Sequence, residues 1–78
     1  MKITEWQDYL ERNKSQLYKC PDCKTYTARM ERRSITEENS GESHQEYRIR
    51  CRTCMKKGSV HWTKNLAEIT WEALLGHE

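Results

Sequence analysis

The sequence predicts a small α+β domain whose core is completed by a bound metal ion, and three observations point there. The chain has 78 residues, and a domain of that size buries only roughly 60% of the surface its unfolded chain exposes. Apolar residues make up 35% and charged residues 33%, with no phenylalanine. That is thin for a self-sufficient core, yet too rich in Trp, Tyr and Leu for disorder. The four cysteines fall in two C-x-x-C pairs, Cys20 with Cys23 and Cys51 with Cys54, a spacing that gathers metal ligands. A chain this small needs such a staple.

The elements follow in order. Ile3, Trp6, Leu10, Asn13 and Leu17 recur at three- and four-residue steps, and Thr4 with Gln7 fits a capping box. This predicts an amphipathic helix over 4–16, within an N-terminal helical segment 1–17. From Thr25 to Thr36 the residues suit a strand, ENSGES supplies turn chemistry, and Gln45 to Arg50 alternates with Tyr47 and Ile49 inward. Met55 to Gly58 reads as a turn, and Ser59 to Trp62 as a short third strand.

The remainder, 63–76, reads as a C-terminal helix with Thr63 or Asn65 as its cap, Glu68 completing a capping box with Asn65, and Gly76 as its stop. Trp62, Leu66, Ile69, Ala73 and Leu74 are expected on one face. The simplest organisation is one domain, 1–78, with a central unit over 18–62 between two helices.

The hairpin explains how the cysteines meet. Cys20-Pro21-Asp22-Cys23 precedes the first long strand and Cys51-Arg52-Thr53-Cys54 follows the second, so the returning chain brings the pairs together. Zn²⁺ takes four tetrahedral ligands, and a C-x-x-C turn aims two thiolates at one ion while its amides point at the sulfurs. This predicts a zinc ribbon holding one structural Zn²⁺ through Cys20, Cys23, Cys51 and Cys54. Thiol-redox chemistry at CPDC is the rival reading, without a βαβ context to support it. A site in which His44 or His61 replaces one thiolate is another.

The stretch MKITEWQDYLERNKSQ has no unbroken apolar run, so neither a secretion signal nor a membrane span is expected. The expected residence is cytoplasmic, where thiols stay reduced and serve as metal ligands.

Residues 18–62, read as CPDC, TARMERRSIT, a polar turn, YRIRCRTC and a tryptophan, resemble zinc ribbons of the transcription machinery. One is the Ogr/Delta family of phage late-gene activators. Ala28, Arg29, Arg33, Ile35, Thr36 and Tyr47 sit approximately where its pattern places an Ala-Arg pair, an Arg-x-Ile-Thr and an aromatic before the second cysteine pair. That family spaces its second pair more widely than Cys51 and Cys54. The other is the transcript-cleavage ribbon that rescues arrested eukaryotic RNA polymerase II, echoed by Arg33, Ser34, Glu37 and Glu38. In that ribbon two adjacent acids follow Arg-Ser almost directly, whereas Ile35 and Thr36 intervene here; a Glu-rich tip is otherwise simply solvated. The resemblance implies work on nucleic acid or RNA polymerase.

Charge agrees in part. Residues 19–57 carry ten Lys/Arg against six Asp/Glu, while residues 58–78 carry one against three. Strand alternation puts Arg48, Arg50 and Arg52 on one face, and the neighbouring strand adds Arg29 and Arg33 with Glu31 between them. Lys56 and Lys57 extend this surface. It suits phosphate oxygens, those of DNA among them, or an acidic partner; equally, its arginines could pair with Glu31 and Glu46. Tyr26, Tyr47 and Trp62 suit packing beside the knuckles or stacking on unpaired bases.

Trp6 and Trp71 are expected in the core. A second reading makes Trp71, Leu74 and Leu75 an exposed patch for a protein partner, the surface of an adaptor or phage-encoded modulator of a host enzyme. Pairing of helix faces into a homodimer stays open. No open metal site, Ser-His-Asp set or phosphate loop is present, so a binding module rather than an enzyme is expected.

Overall fold

The computed structural model describes residues 1–11 and 14–76. In chain order its strands are β1 (Lys2–Ile3), β2 (Gln7–Asp8), β3 (Leu10–Glu11), β4 (Lys14–Ser15), β5 (Leu17–Tyr18), β6 (Ala28–Thr36) and β7 (Ser43–Cys51), followed by the helix α1 (Lys64–Leu75). The expected hairpin is present: β6 and β7 pair antiparallel from Ala28 opposite Cys51 to Thr36 opposite Ser43. Gly41 turns its tip at a φ of 71°, a conformation that costs glycine little, and its amide donates to the Glu37 carbonyl at 2.8 Å.

Alternation then sorts the side chains. Ala28, Met30, Ile49 and Cys51 are buried together with Tyr18, Cys20, Ala67 and Trp71. The opposite face carries Arg29, Glu31 and Arg33 beside Arg50, Arg48 and Glu46.

The N-terminal helix is a correction: 1–17 holds no helix among the described residues. Instead β1, β2 and β5 pair in succession along the edge of β6 that β7 leaves open, completing a five-stranded antiparallel sheet. Between them β3 and β4 pair with each other. The physical reason is the edge of β6, whose backbone groups need partners. The Thr4 amide donates to the Ser34 carbonyl and the Tyr9 amide to the Met30 carbonyl, both at 3.0 Å. Asn13, assigned to the helical face, lies outside the described residues.

Beyond the second cysteine pair the chain returns along β7. The expected strand over Ser59 to Trp62 is reduced to isolated bridges, His61 with Tyr47 and Lys57 with Arg50. Helix α1 forms where expected. Thr63 caps it, its hydroxyl accepting from the Leu66 amide at 3.2 Å, and Gly76 closes it at a φ of 76°. Glu68 is engaged elsewhere, accepting from the Tyr18 hydroxyl at 2.8 Å.

Helix α1 turns inward a face other than the one expected to carry Leu66, Ile69, Ala73 and Leu74. Ala67 and Trp71 are buried, whereas Leu66, Ile69 and Leu74 are 47%, 61% and 48% exposed. Trp71 fits because Gly58 lies beneath it: a Cβ there would stand 2.9 Å from its Cε3. Its indole N–H donates to the Lys19 carbonyl at 2.8 Å. The patch of Trp71, Leu74 and Leu75 is therefore not a surface unit, since Trp71 belongs to the core and Leu75 is half-buried. No described helix is long and apolar enough to cross a membrane.

Candidate functional site

Two turns of matching geometry frame the cysteines. The Cys20 amide donates to the Thr25 carbonyl and the Cys51 amide to the Lys56 carbonyl, each at 2.8 Å. The residue after each second cysteine is left-handed, Lys24 at a φ of 61° and Met55 at 64°. Such a residue reverses the chain within one turn and leaves amides facing sulfur. The Cys23 amide lies 3.4 Å from Cys20 Sγ, and the Thr53 and Cys54 amides lie 3.4 and 3.5 Å from Cys51 Sγ. Because Ala28 stands opposite Cys51, the sheet register itself brings the two turns together.

All four Sγ atoms lie within 4.8 Å of one another, with Cys20 to Cys54 at 3.5 Å and Cys23 to Cys51 at 3.7 Å. Disulfide sulfurs stand about 2.05 Å apart, so these are separate thiols. Metal–sulfur distances of about 2.3 Å in a tetrahedron require sulfur separations of roughly 3.8 Å. The four residues thus fit one metal ion, and no described histidine joins them. His44 instead stacks on Trp62, and His61 bridges to Tyr47.

Without metal the thiols differ in acidity. Burial pushes Cys51 up, but donation from the Thr27 hydroxyl, 3.1 Å away, and from the Cys54 and Thr53 amides outweighs it and brings Cys51 down to about 5. Cys23 is pushed up to about 12, first by its hydrogen bond with Cys54 and then by burial. For Cys54 the Lys56 amide pulls down, yet burial and the hydrogen bonds with the Cys20 and Cys51 thiols prevail and raise it.

The second feature is the charged face. Arg29, Arg33, Arg48 and Arg50 lie there with Glu31 at its centre. Glu31 is 3% exposed and accepts from Arg48 at 2.9 Å and Arg50 at 3.0 Å, with Arg52 at 3.8 Å. Glu46 takes Arg33 at 2.7 Å, and Asp8 of β2 pairs with Arg52. Trp6 lies 4.6 and 4.2 Å from the Arg33 and Arg48 guanidinium carbons, an ordinary cation–π geometry. Much of the expected arginine surface is therefore internally paired. Of the two lysines, Lys56 meets Asp22 at 3.5 Å, and Lys57 stands opposite Arg50.

The structure divides the remaining aromatics. Tyr47 is half-buried, edge-on to Tyr9 at 5.7 Å, while Tyr26 and Trp62 are each 66% exposed. Sequence reasoning missed Asp8 and Trp6 as members of the charged face, because nothing local shows that their segment borders β6. It also missed Gly58 as the seat of Trp71.

Protein-family models, curated proteins and solved structures were all compared with this chain, and none matches it.

Proposed function

We propose that this chain is a zinc ribbon holding one structural Zn²⁺ through Cys20, Cys23, Cys51 and Cys54. We propose further that it is a binding module of transcription, touching nucleic acid, RNA polymerase or both through the charged sheet face. Four soft thiolates at tetrahedral spacing favour Zn²⁺ over harder cations. They leave no coordination position for water or substrate, so the ion folds the chain and performs no reaction.

The observation that carries the nucleic-acid reading is a row of cations across the sheet. Arg29 stands opposite Arg50, and Arg50 opposite Lys57. Like charges directly opposite one another destabilise a sheet. Glu31 satisfies Arg50, but among the described residues Arg29 and Lys57 make no ion pair. Phosphate oxygens would relieve the repulsion. The resemblance to transcription ribbons supplies the setting.

The test is native mass spectrometry for one zinc per chain, then a salt titration of nucleic-acid affinity, with duplex and single strands both offered. Affinity that falls with salt, and a shallower slope in Arg29→Ala and Lys57→Ala, is expected. Absence of binding to either form would remove the nucleic-acid reading.

A second reading, a protein-only adaptor, is favoured by the exposed Leu66, Ile69 and Leu74 of α1. Because Trp71 is core, Ile69→Glu is the test: it should abolish such an interaction while the chain keeps its fold.

A further inference from the structure

Trp62 is the most exposed tryptophan of the described residues, at 66%, and its ring is not idle. It lies parallel to the His44 ring, 4.6 Å between centroids and 2° between planes. A histidine beneath one face holds the indole flat, and its opposite face is left to bind another planar group. His44 belongs to β7 and is two, four and six residues from Glu46, Arg48 and Arg50, so all four share one side of the sheet. Trp62 is therefore on the charged face, although its segment lies outside β7.

Along that face the groups come in sequence. Trp62 stands at the end near the hairpin tip. Trp6 follows, over Arg33 and Arg48. At the knuckle end is the row Arg29, Arg50 and Lys57. Six residues of strand separate His44 from Arg50, roughly 20 Å at about 3.4 Å per residue. A stacking platform at one end and unpaired cations at the other, on a surface without a protruding helix, is how proteins hold unpaired strands: bases stack on aromatics and phosphates meet cations. A duplex hides its base faces and would leave Trp62 without a partner.

We infer that the charged face is a track for single-stranded nucleic acid, with one base stacked on Trp62 and the backbone running toward Arg29 and Lys57. The inference rests on the nucleic-acid reading above and narrows it to unpaired strands. Stacking accepts DNA and RNA alike, so the sugar is left to the experiment.

The experiment measures fluorescence anisotropy of labelled oligonucleotides of about ten residues, oligo-dT, oligo-rU and a mixed-sequence duplex, against the zinc-loaded chain. Each single strand should bind more tightly than the duplex, and the tighter of dT and rU names the source. Trp62→Ala should lower single-strand affinity about tenfold, while Trp62→Phe, which keeps a ring, recovers most of it. Zinc content and circular dichroism of Trp62→Ala should match the parent, since the side chain is on the surface. Duplex binding that equals or exceeds single-strand binding, or an unchanged affinity in Trp62→Ala, overturns this inference and leaves the nucleic-acid reading standing. Binding to none of the three ligands overturns both.

Discussion

Glu31 shows how a single side chain sets the character of a surface. It is the one buried charged residue among those described, and Arg48, Arg50 and Arg52 converge on it. Glu31→Gln keeps the shape and removes the charge, leaving those guanidiniums to repel one another. Breaking a buried ion pair costs about 3–5 kcal/mol; with the arginines partly solvated, about 2–3 kcal/mol is expected in denaturant unfolding of the zinc-loaded chain. The same variant should bind nucleic acid more tightly, because the freed arginines become available to phosphate. A loss of both stability and affinity would show that Glu31 positions the arginines for the ligand. Gly58 matters for a different reason. Gly58→Ala would force a methyl group against Trp71 and stand it 3.2 Å from the Ile49 carbonyl, and overpacking of this kind costs about 1–3 kcal/mol. The four cysteines were legible in the sequence because their spacing is itself the chemistry. Glu31 was half-legible, as an acid between arginines, but its buried position depends on strands paired across the sheet.

At the scale of elements, the hairpin and the C-terminal helix could be read in advance, and the N-terminal segment could not. Ile3, Trp6, Leu10 and Leu17 have helical spacing, yet the open edge of β6 recruits Ile3 and Leu17 into strands of two residues each, while Leu10 pairs within β3 and β4 and Trp6 directly precedes β2. Pieces that short carry no alternation, so the only local signal was the misleading one. Trp6 and Asp8 both turn to the charged face as a result. This segment is held to β6 by few bonds, and weakly paired edges open first. In hydrogen exchange the Thr4 and Tyr9 amides should therefore lose protection well before those of Met30 and Ile49. Equal protection would mean the segment folds as one unit with the hairpin. The helix gives a cleaner test. Thr63 is its N-cap through the Leu66 amide, and Thr63→Ala should lower stability by about 1 kcal/mol, read as a shift in urea midpoint without a change in zinc content. Its inward face was not legible, because Leu66 and Ile69 outrank Ala67 in hydrophobicity yet are exposed. What decided the face was the place made for Trp71 over Gly58, a long-range fit invisible in helical periodicity.

For the whole molecule, the proposed zinc centre makes the thiol cluster the element on which persistence of the fold would depend, and its acidity gives the direction of that dependence. In the folded arrangement without metal Cys51 is depressed to about 5, so at neutral pH it is a thiolate there. The stabilisation this supplies is present above the ordinary thiol value of about 8.5 and is lost as pH falls through about 5. Cys23, raised to about 12, is the opposite case: its neutral thiol favours the folded metal-free chain below the ordinary value, and that contribution disappears as pH rises through about 12. Zinc needs thiolates. Binding at neutral pH must therefore expel protons at least from Cys23 and from the raised Cys54. With at least two protons displaced, the apparent zinc affinity falls at least about a hundredfold for each unit of acidification near neutrality. Titrating zinc into the metal-free chain with a competing chelator at several pH values measures that slope directly. A slope of tenfold or less would mean the thiols are already ionised together. Because apparent structural zinc energies of about 10–16 kcal/mol exceed the roughly 5–15 kcal/mol stability of ordinary domains, removing the ion should also unfold the sheet. Circular dichroism during the same titration should then show β structure and zinc lost in one transition, since Cys20 and Cys51 are themselves part of the buried cluster that Trp71 covers.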